Sequence, residues 1–152
     1  MPKKSAGLLL YRQKPGLEFF LVHPGGPFYV KKDHGVWSIP KGEFGENEEP
    51  LTAAIREFKE ETGILPKGTF VELRPVSLAS GKKVYAWALE YDLDPKMILS
   101  NKFTLEWPPK SGQFKEFPEI DKGEWFSIKE ARIKLNAAQI AFIDEILRIL
   151  TR

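Results

Sequence analysis

Glu57, Glu60 and Glu61 stand at i, i+3 and i+4. On a helix that turns about 100° per residue, this spacing gathers all three carboxylates on one face. Leu51, Ala54, Ile55 and Phe58 fall at i, i+3, i+4 and i+7, an apolar stripe that points elsewhere and predicts a helix from about Asn47 to Thr62. Such a helix docks by its stripe and presents three acids away from the core. Like charges at i, i+4 destabilise a bare helix, and anions near its C-terminus oppose the dipole. A bound cation resolves both conflicts. Oxygen-only ligands select Mg²⁺, with Mn²⁺ as a substitute, over zinc. A metal-bound water is a hydroxide-like nucleophile at neutral pH, and the same ion stabilises charge on phosphoryl oxygens. Taken alone, three glutamates fit a solvated acidic face better than a metal site.

The surrounding elements must place that helix. Pro50 suits a first helical turn, and Gly63 with Pro66 provides the stop. Upstream, Ala6–Tyr11 and Leu17–His23 flank Arg12-Gln13-Lys14-Pro15-Gly16 and read as a hairpin. A loop from His23 to Pro27 and a short strand at Trp37-Ser38-Ile39 follow. Downstream, Thr69–Ala79 and Lys83–Tyr91 read as strands joined at Ser80-Gly81-Lys82. Asp92 to Pro118 reads as irregular, a substrate-side loop or mobile flap. Trp125-Phe126 is a late strand, Ser127-x-x-Glu130 a capping box, and a final helix runs from about Asn136 to Leu150. Strands and helices in this order predict one α/β domain over residues 1–152, a mixed sheet between helices.

The segment Gly42–Ile64 carries a longer pattern. Gly42 is followed after five residues by Glu48, after seven more by Arg56-Glu57-Phe58, then by Glu60-Glu61 and Gly63-Ile64. Every fixed position of the Nudix box is met, and the chain resembles the Nudix hydrolases. The resemblance implies an α/β/α Nudix fold and hydrolysis of a phosphoanhydride bond in a nucleoside diphosphate linked to another moiety. It implies that Glu57, Glu60, Glu61 and the Lys41 carbonyl hold the metal, with Glu57 also a candidate base. Arg56 and Glu48 resemble the pair that braces the helix. Some members add a glutamate before a Trp. Glu119, ahead of Trp125, is the candidate here as ligand or base, with Glu116 as its rival.

The lead-in Pro40-Lys41-Gly42 resembles that of dinucleoside polyphosphate hydrolases and of mRNA-decapping members, which makes an Ap4A-like compound the first-choice substrate. The alternatives are a nucleoside triphosphate, an RNA 5′ end, or a non-catalytic nucleotide sensor; sensors of this family usually lack box glutamates, and none is missing here. Lys41, Tyr85 and Trp87 are the candidates to contact substrate; the aromatic pair shares one strand face, which fits either base stacking or core packing. His23 and His34 read as surface or turn residues. The chain carries 23 basic and 21 acidic residues for a net charge of +2. That balance argues against a long nucleic acid or a membrane surface as partner. Without cysteine, thiolate chemistry is excluded. No run approaches the roughly 20 apolar residues of a membrane helix, so a cytoplasmic location is expected. An exposed edge strand or the final helix would be the surfaces for a homodimer.

Overall fold

A computed structural model describes residues 3–13 and 15–151; Met1 and Lys14, which fall within the N-terminal and turn readings above, lie outside the described residues. The strands are β1 (Lys4–Gln13), β2 (Leu17–Pro24), β3 (Lys41–Glu43), β4 (Val71–Glu72), β5 (Val76–Ser77), β6 (Lys83–Glu90), β7 (Lys102–Glu106), β8 (Phe114–Pro118) and β9 (Ile120–Ser127). The helices are α1 (Pro50–Thr62), α2 (Ile128–Lys134) and α3 (Ile140–Leu150).

The main sheet runs β4-β6-β1-β2-β9, with β3 added to β1 and β5 to β6. β1 and β6 are parallel neighbours over Lys4–Tyr11 and Lys83–Glu90. Central parallel strands are covered on both faces and so read as continuous apolar runs; Leu8, Leu9 and Leu10 are all fully buried. Alternation then sorts them. Leu9 joins Phe19, Leu21, Phe142, Ile143 and Ile146 under α2 and α3. Leu8 and Leu10 join Phe20, Ala53, Ala54 and Phe58 under α1. The α/β/α arrangement expected from the sequence is the one observed.

α1 begins three residues later than its periodicity suggested. Pro50 is its first residue, and a proline disfavours helical geometry in the residue before it; Glu49 is extended at φ −66°, ψ 137°. Glu48 is thereby left outside the helix, free to fold back onto it. Gly63 ends α1 in the left-handed region at φ 77°, its N–H bonded to the Lys59 carbonyl, a conformation that costs glycine nothing. The final helix also starts later. Asn136 caps a 3-10 turn at Ala137–Gln139, and α3 follows it.

The reading of Asp92–Pro118 as irregular is corrected. Its second half is an antiparallel hairpin, β7 against β8, from Lys102↔Pro118 to Glu106↔Phe114. Alternation puts Phe103, Leu105 and Trp107 on one face, half-buried, while Lys102 and Thr104 on the other are exposed.

Candidate active site

β1 pairs with β2 directly only at Tyr11–Gln13 and with β3 at Ser5–Gly7. Between these contacts Ser38 to Pro40 fills the gap: Ser38 bridges to Val22, and the Pro40 carbonyl accepts from Leu8 N–H at 3.2 Å. Gly7 permits this approach, since a β-carbon there would stand 2.4 Å from the Pro40 oxygen. The lead-in to the box is thus clamped into the sheet, and Lys41 emerges beside the last turn of α1.

Arg56 organises the carboxylates. Its Nε and Nη2 donate to the two oxygens of Glu48 at 2.8 and 2.9 Å, and its Nη1 donates to Glu57 at 2.7 Å and to Glu60 at 3.1 Å. A planar guanidinium suits this forked geometry. Glu48 is held below the usual carboxylate range by Arg56. Arg56 thereby ties Glu48, which lies ahead of the helix, to Glu57 and Glu60 on it. Gly42 faces Glu57, and a β-carbon at that position would stand 1.9 Å from Glu57 Oε2. The box glycine, expected at a turn, lies instead within β3 opposite Ala6 and leaves room there for a carboxylate.

Glu61 lies deeper. The backbone N–H of Lys41 donates to it at 3.1 Å, and burial pushes its carboxyl up to about 8, with the charges of Glu57 and Glu119 adding to the shift. Glu57 is raised by burial first, against the pull of Arg56, with Glu60 and Glu119 adding to the rise. The half-buried Lys41 amine is lowered, by burial and then by Lys82.

Glu119 enters from the other end of the chain. The segment before the hairpin caps the last turn of α1: Leu99 N–H donates to the Thr62 carbonyl at 2.8 Å and Asn101 N–H to that of Glu60 at 3.2 Å. Glu119 N–H donates to the Asn101 carbonyl at 2.8 Å, and its own carbonyl accepts from Gly25 at 2.9 Å. The helix end supplies orphan carbonyls, and the hairpin base uses them to fix Glu119. Its rival Glu116 lies exposed on the hairpin.

A cavity of about 160 Å³ is lined by Lys41, Glu61 and Glu119 together with Pro24, Val36, Ser38 and Ile39. It adjoins a second of about 380 Å³, lined by Tyr29, Leu78, Asn136 and Gln139, and the two share Pro24, Val36, Ser38 and Lys41. Gln139 is 1% exposed and accepts from Ile39 N–H at 3.0 Å, so the start of α3 holds the lead-in from behind. The sequence reading missed this residue, because nothing local joins positions 100 apart.

Two expectations are corrected. Tyr85 and Trp87 share a face, but that face looks into the α1 core: Trp87 is 8% exposed among Leu8, Phe20 and Phe58, and Tyr85 meets Phe44 edge-on. Neither lines the cleft. His23 is not a surface residue; it is 2% exposed, with Nδ1 2.8 Å from Asp121 and Nε2 2.6 Å from the Lys32 carbonyl. His34 is exposed as expected.

Among the described residues, no three acidic or histidine side chains converge closely enough to hold an ion as they stand. The donor chemistry nevertheless fits a hard divalent cation. Glu57, Glu61 and Glu119 offer only oxygen; the charge of Glu119 adds to the raised protonation range of both Glu57 and Glu61, and that of Glu57 adds to that of Glu61, a repulsion that a cation relieves. No described helix is long and apolar enough to cross a membrane.

Comparison with known proteins agrees with this geometry. An RNA pyrophosphohydrolase of Brucella anthropi is 32% identical over 111 residues, covering 59% of this chain and 55% of that one. A bis(5′-nucleosyl)-tetraphosphatase (asymmetrical) of Caenorhabditis elegans is 42% identical over 65 residues, covering 42% and 43%. The chain spans about half the length of these relatives. The crystal structure of a C. elegans Ap4A hydrolase binary complex superposes with a TM-score of 0.64 at 26% identity, covering 98% of both chains. Divalent metal ions are a general requirement of proteins of this kind. With the NUDIX domain profile matching residues 1–146, and with Glu57 against Gly42, Glu61 on the Lys41 N–H and Arg56 bridging Glu48, Glu57 and Glu60, the chain belongs to the NUDIX family.

Proposed function

We propose that the protein hydrolyses a phosphoanhydride bond of a dinucleoside polyphosphate in the cytoplasm, with Mg²⁺ as its metal. The observation that carries this reading is the two-lobed cleft, which runs from Glu61 and Glu119 past Lys41 to Tyr29, Asn136 and Gln139. One lobe has carboxylates and a cation. The other has the aromatic wall of Tyr29 and the amide of Asn136, suited to a nucleoside, the usual mixture of a small-molecule site.

In this reading Glu57, Glu60, Glu61, the Lys41 carbonyl and Glu119 would hold the metal. When bound, Mg²⁺ supplies Lewis-acid stabilisation of the phosphoryl oxygens and an activated water. The chain's own groups do the rest. Arg56 and Glu48 orient Glu57 and Glu60, and the Lys41 ammonium meets the phosphate chain in the shared part of the cleft. Glu57, whose affinity for protons burial has raised, or Glu119, exposed at the cleft wall, accepts the proton of the attacking water.

The RNA pyrophosphohydrolase relative supports a second substrate, a 5′-triphosphorylated RNA end. A phosphate-release assay with Mg²⁺ over diadenosine tetraphosphate, ATP, a 5′-triphosphorylated oligonucleotide and ADP-ribose separates the two. The dinucleoside is expected to have the highest kcat/KM. A higher value for the oligonucleotide would replace the first reading with the second, and preference for ADP-ribose would overturn both.

A further inference from the structure

The face of the β7–β8 hairpin that carries Phe103, Leu105 and Trp107 is only half covered, and what covers it is the loop at residues 25–30. Gly26 lies under Phe103, where a β-carbon would come within 2.9 Å of the ring. At the hairpin's far end Trp107 meets Phe28 edge-to-face, with centroids 5.3 Å apart and an interplanar angle of 83°. Phe28 is nevertheless 57% exposed. Its chain neighbour Tyr29 lines the cleft, as does Pro24 at the start of the same loop.

We propose that Phe28 and Trp107 form a subsite for the second nucleobase of the dinucleoside polyphosphate, a proposal that rests on the substrate class assigned above. Three features select this occupant. Phe28 of the aromatic pair is the chain neighbour of Tyr29, which lines the cleft. Aromatic faces with open edges stack any base. Lys31 and Lys32 follow that loop directly in the chain, and Lys115 stands opposite Leu105 across the hairpin, so each element of the aromatic pair carries cations that a polyphosphate could meet. A mononucleotide held near Tyr29 would leave this pair unused.

The test is equilibrium binding with Mg²⁺ of methylene-bridged, uncleavable diadenosine tetraphosphate and of the matching adenosine tetraphosphate. Wild type, Phe28→Ala, Trp107→Leu and Trp107→Phe are compared by calorimetry, with melting curves to establish folding. Wild type is expected to favour the dinucleoside. Phe28→Ala and Trp107→Leu should each reduce that preference by about tenfold, the loss of one base stack, and Trp107→Phe should retain most of it. Equal binding of both ligands by wild type, or a preference untouched by either truncation, overturns the subsite. If the turnover panel then still favours the dinucleoside, only the subsite has failed. If the preference in binding follows Phe28 and Trp107 while only triphosphates are cleaved, the subsite stands and the assigned activity fails.

Discussion

Gly42→Ala separates the placement of a carboxylate from the stability of the fold. Gly42 needs no unusual backbone angle, so alanine is conformationally allowed there and stiffens the unfolded chain, a gain of about 0.4–1 kcal/mol. The new β-carbon would stand 1.9 Å from Glu57 Oε2, against the 3.4 Å where ordinary van der Waals contact begins, so the carboxylate must retreat by about 1.5 Å. The obstructing atoms are the end of a flexible side chain, and the retreat weakens a partly buried contact with Arg56, a loss of about 1 kcal/mol. The two effects nearly cancel, and Tm should stay within about 4 °C of wild type. Activity should not survive so well. Metal ligands tolerate errors of about 0.2 Å, and a misplacement near 1 Å costs on the order of 100-fold. Steady-state phosphate release at saturating Mg²⁺ should show kcat reduced at least that much. A folded variant with kcat within threefold of wild type would refute the idea that Glu57 works from where the structure puts it.

Glu60→Gln removes one charge from a half-exposed side chain and should lower kcat by about 100-fold or more with little change in Tm; near wild-type turnover would remove Glu60 from the metal site. For Glu61 the folded carboxyl is raised to about 8 from 4.5, so the metal-free fold holds this proton more tightly than the unfolded chain does, and the associated stability falls as pH climbs from about 4.5 through 8. Mg²⁺ competes with that proton, so the Mg²⁺-induced rise in Tm should grow from pH 6 to pH 9 in wild type and flatten in Glu61→Gln; a pH-independent rise in wild type would refute the assignment of Glu61 as a ligand. Gly25→Ala sets a β-carbon 1.9 Å from the Pro118 backbone oxygen; because backbone cannot step aside, a loss of about 1–3 kcal/mol in denaturant melts is expected, with lowered kcat as Glu119 shifts, and unchanged stability would contradict the close approach of these two segments.

What could be read from the sequence was local. The three glutamates share a helix, so their spacing alone put them on one face, and the apolar stripe at Leu51, Ala54 and Phe58 supplied the opposite side. Arg56 and Glu48 lie within two turns of each other, close enough for the pattern to imply their contact. Period-two alternation placed Tyr85 and Trp87 together, but alternation does not say which face meets a helix, and here α1 covers them. The hairpin at 102–118 escaped notice because its strands mix Lys, Thr, Glu and Pro with Phe, and one face lies open to solvent. Gln139 on Ile39, and Asn101 between Glu60 and Glu119, join segments distant in the chain; their partners are set by how the layers meet, which no window of sequence contains.

The divided edge of β1 has a mechanical meaning. One leaf of the molecule, β1 with β3 and α1, carries Glu57, Glu60 and Glu61; the other, β2 with β9 and the hairpin, carries Glu119 and the aromatic loop. The proposed reaction centre lies on the seam between them. That seam is riveted at one end by the β1–β2 turn pairs and at the other by Leu99 and Asn101 on the last carbonyls of α1. The gap across which the acids face each other is therefore a dimension of the folded chain itself, gauged before any ligand arrives, while the loop and the hairpin tip beyond the rivets are free to vary in length and shape without resetting it.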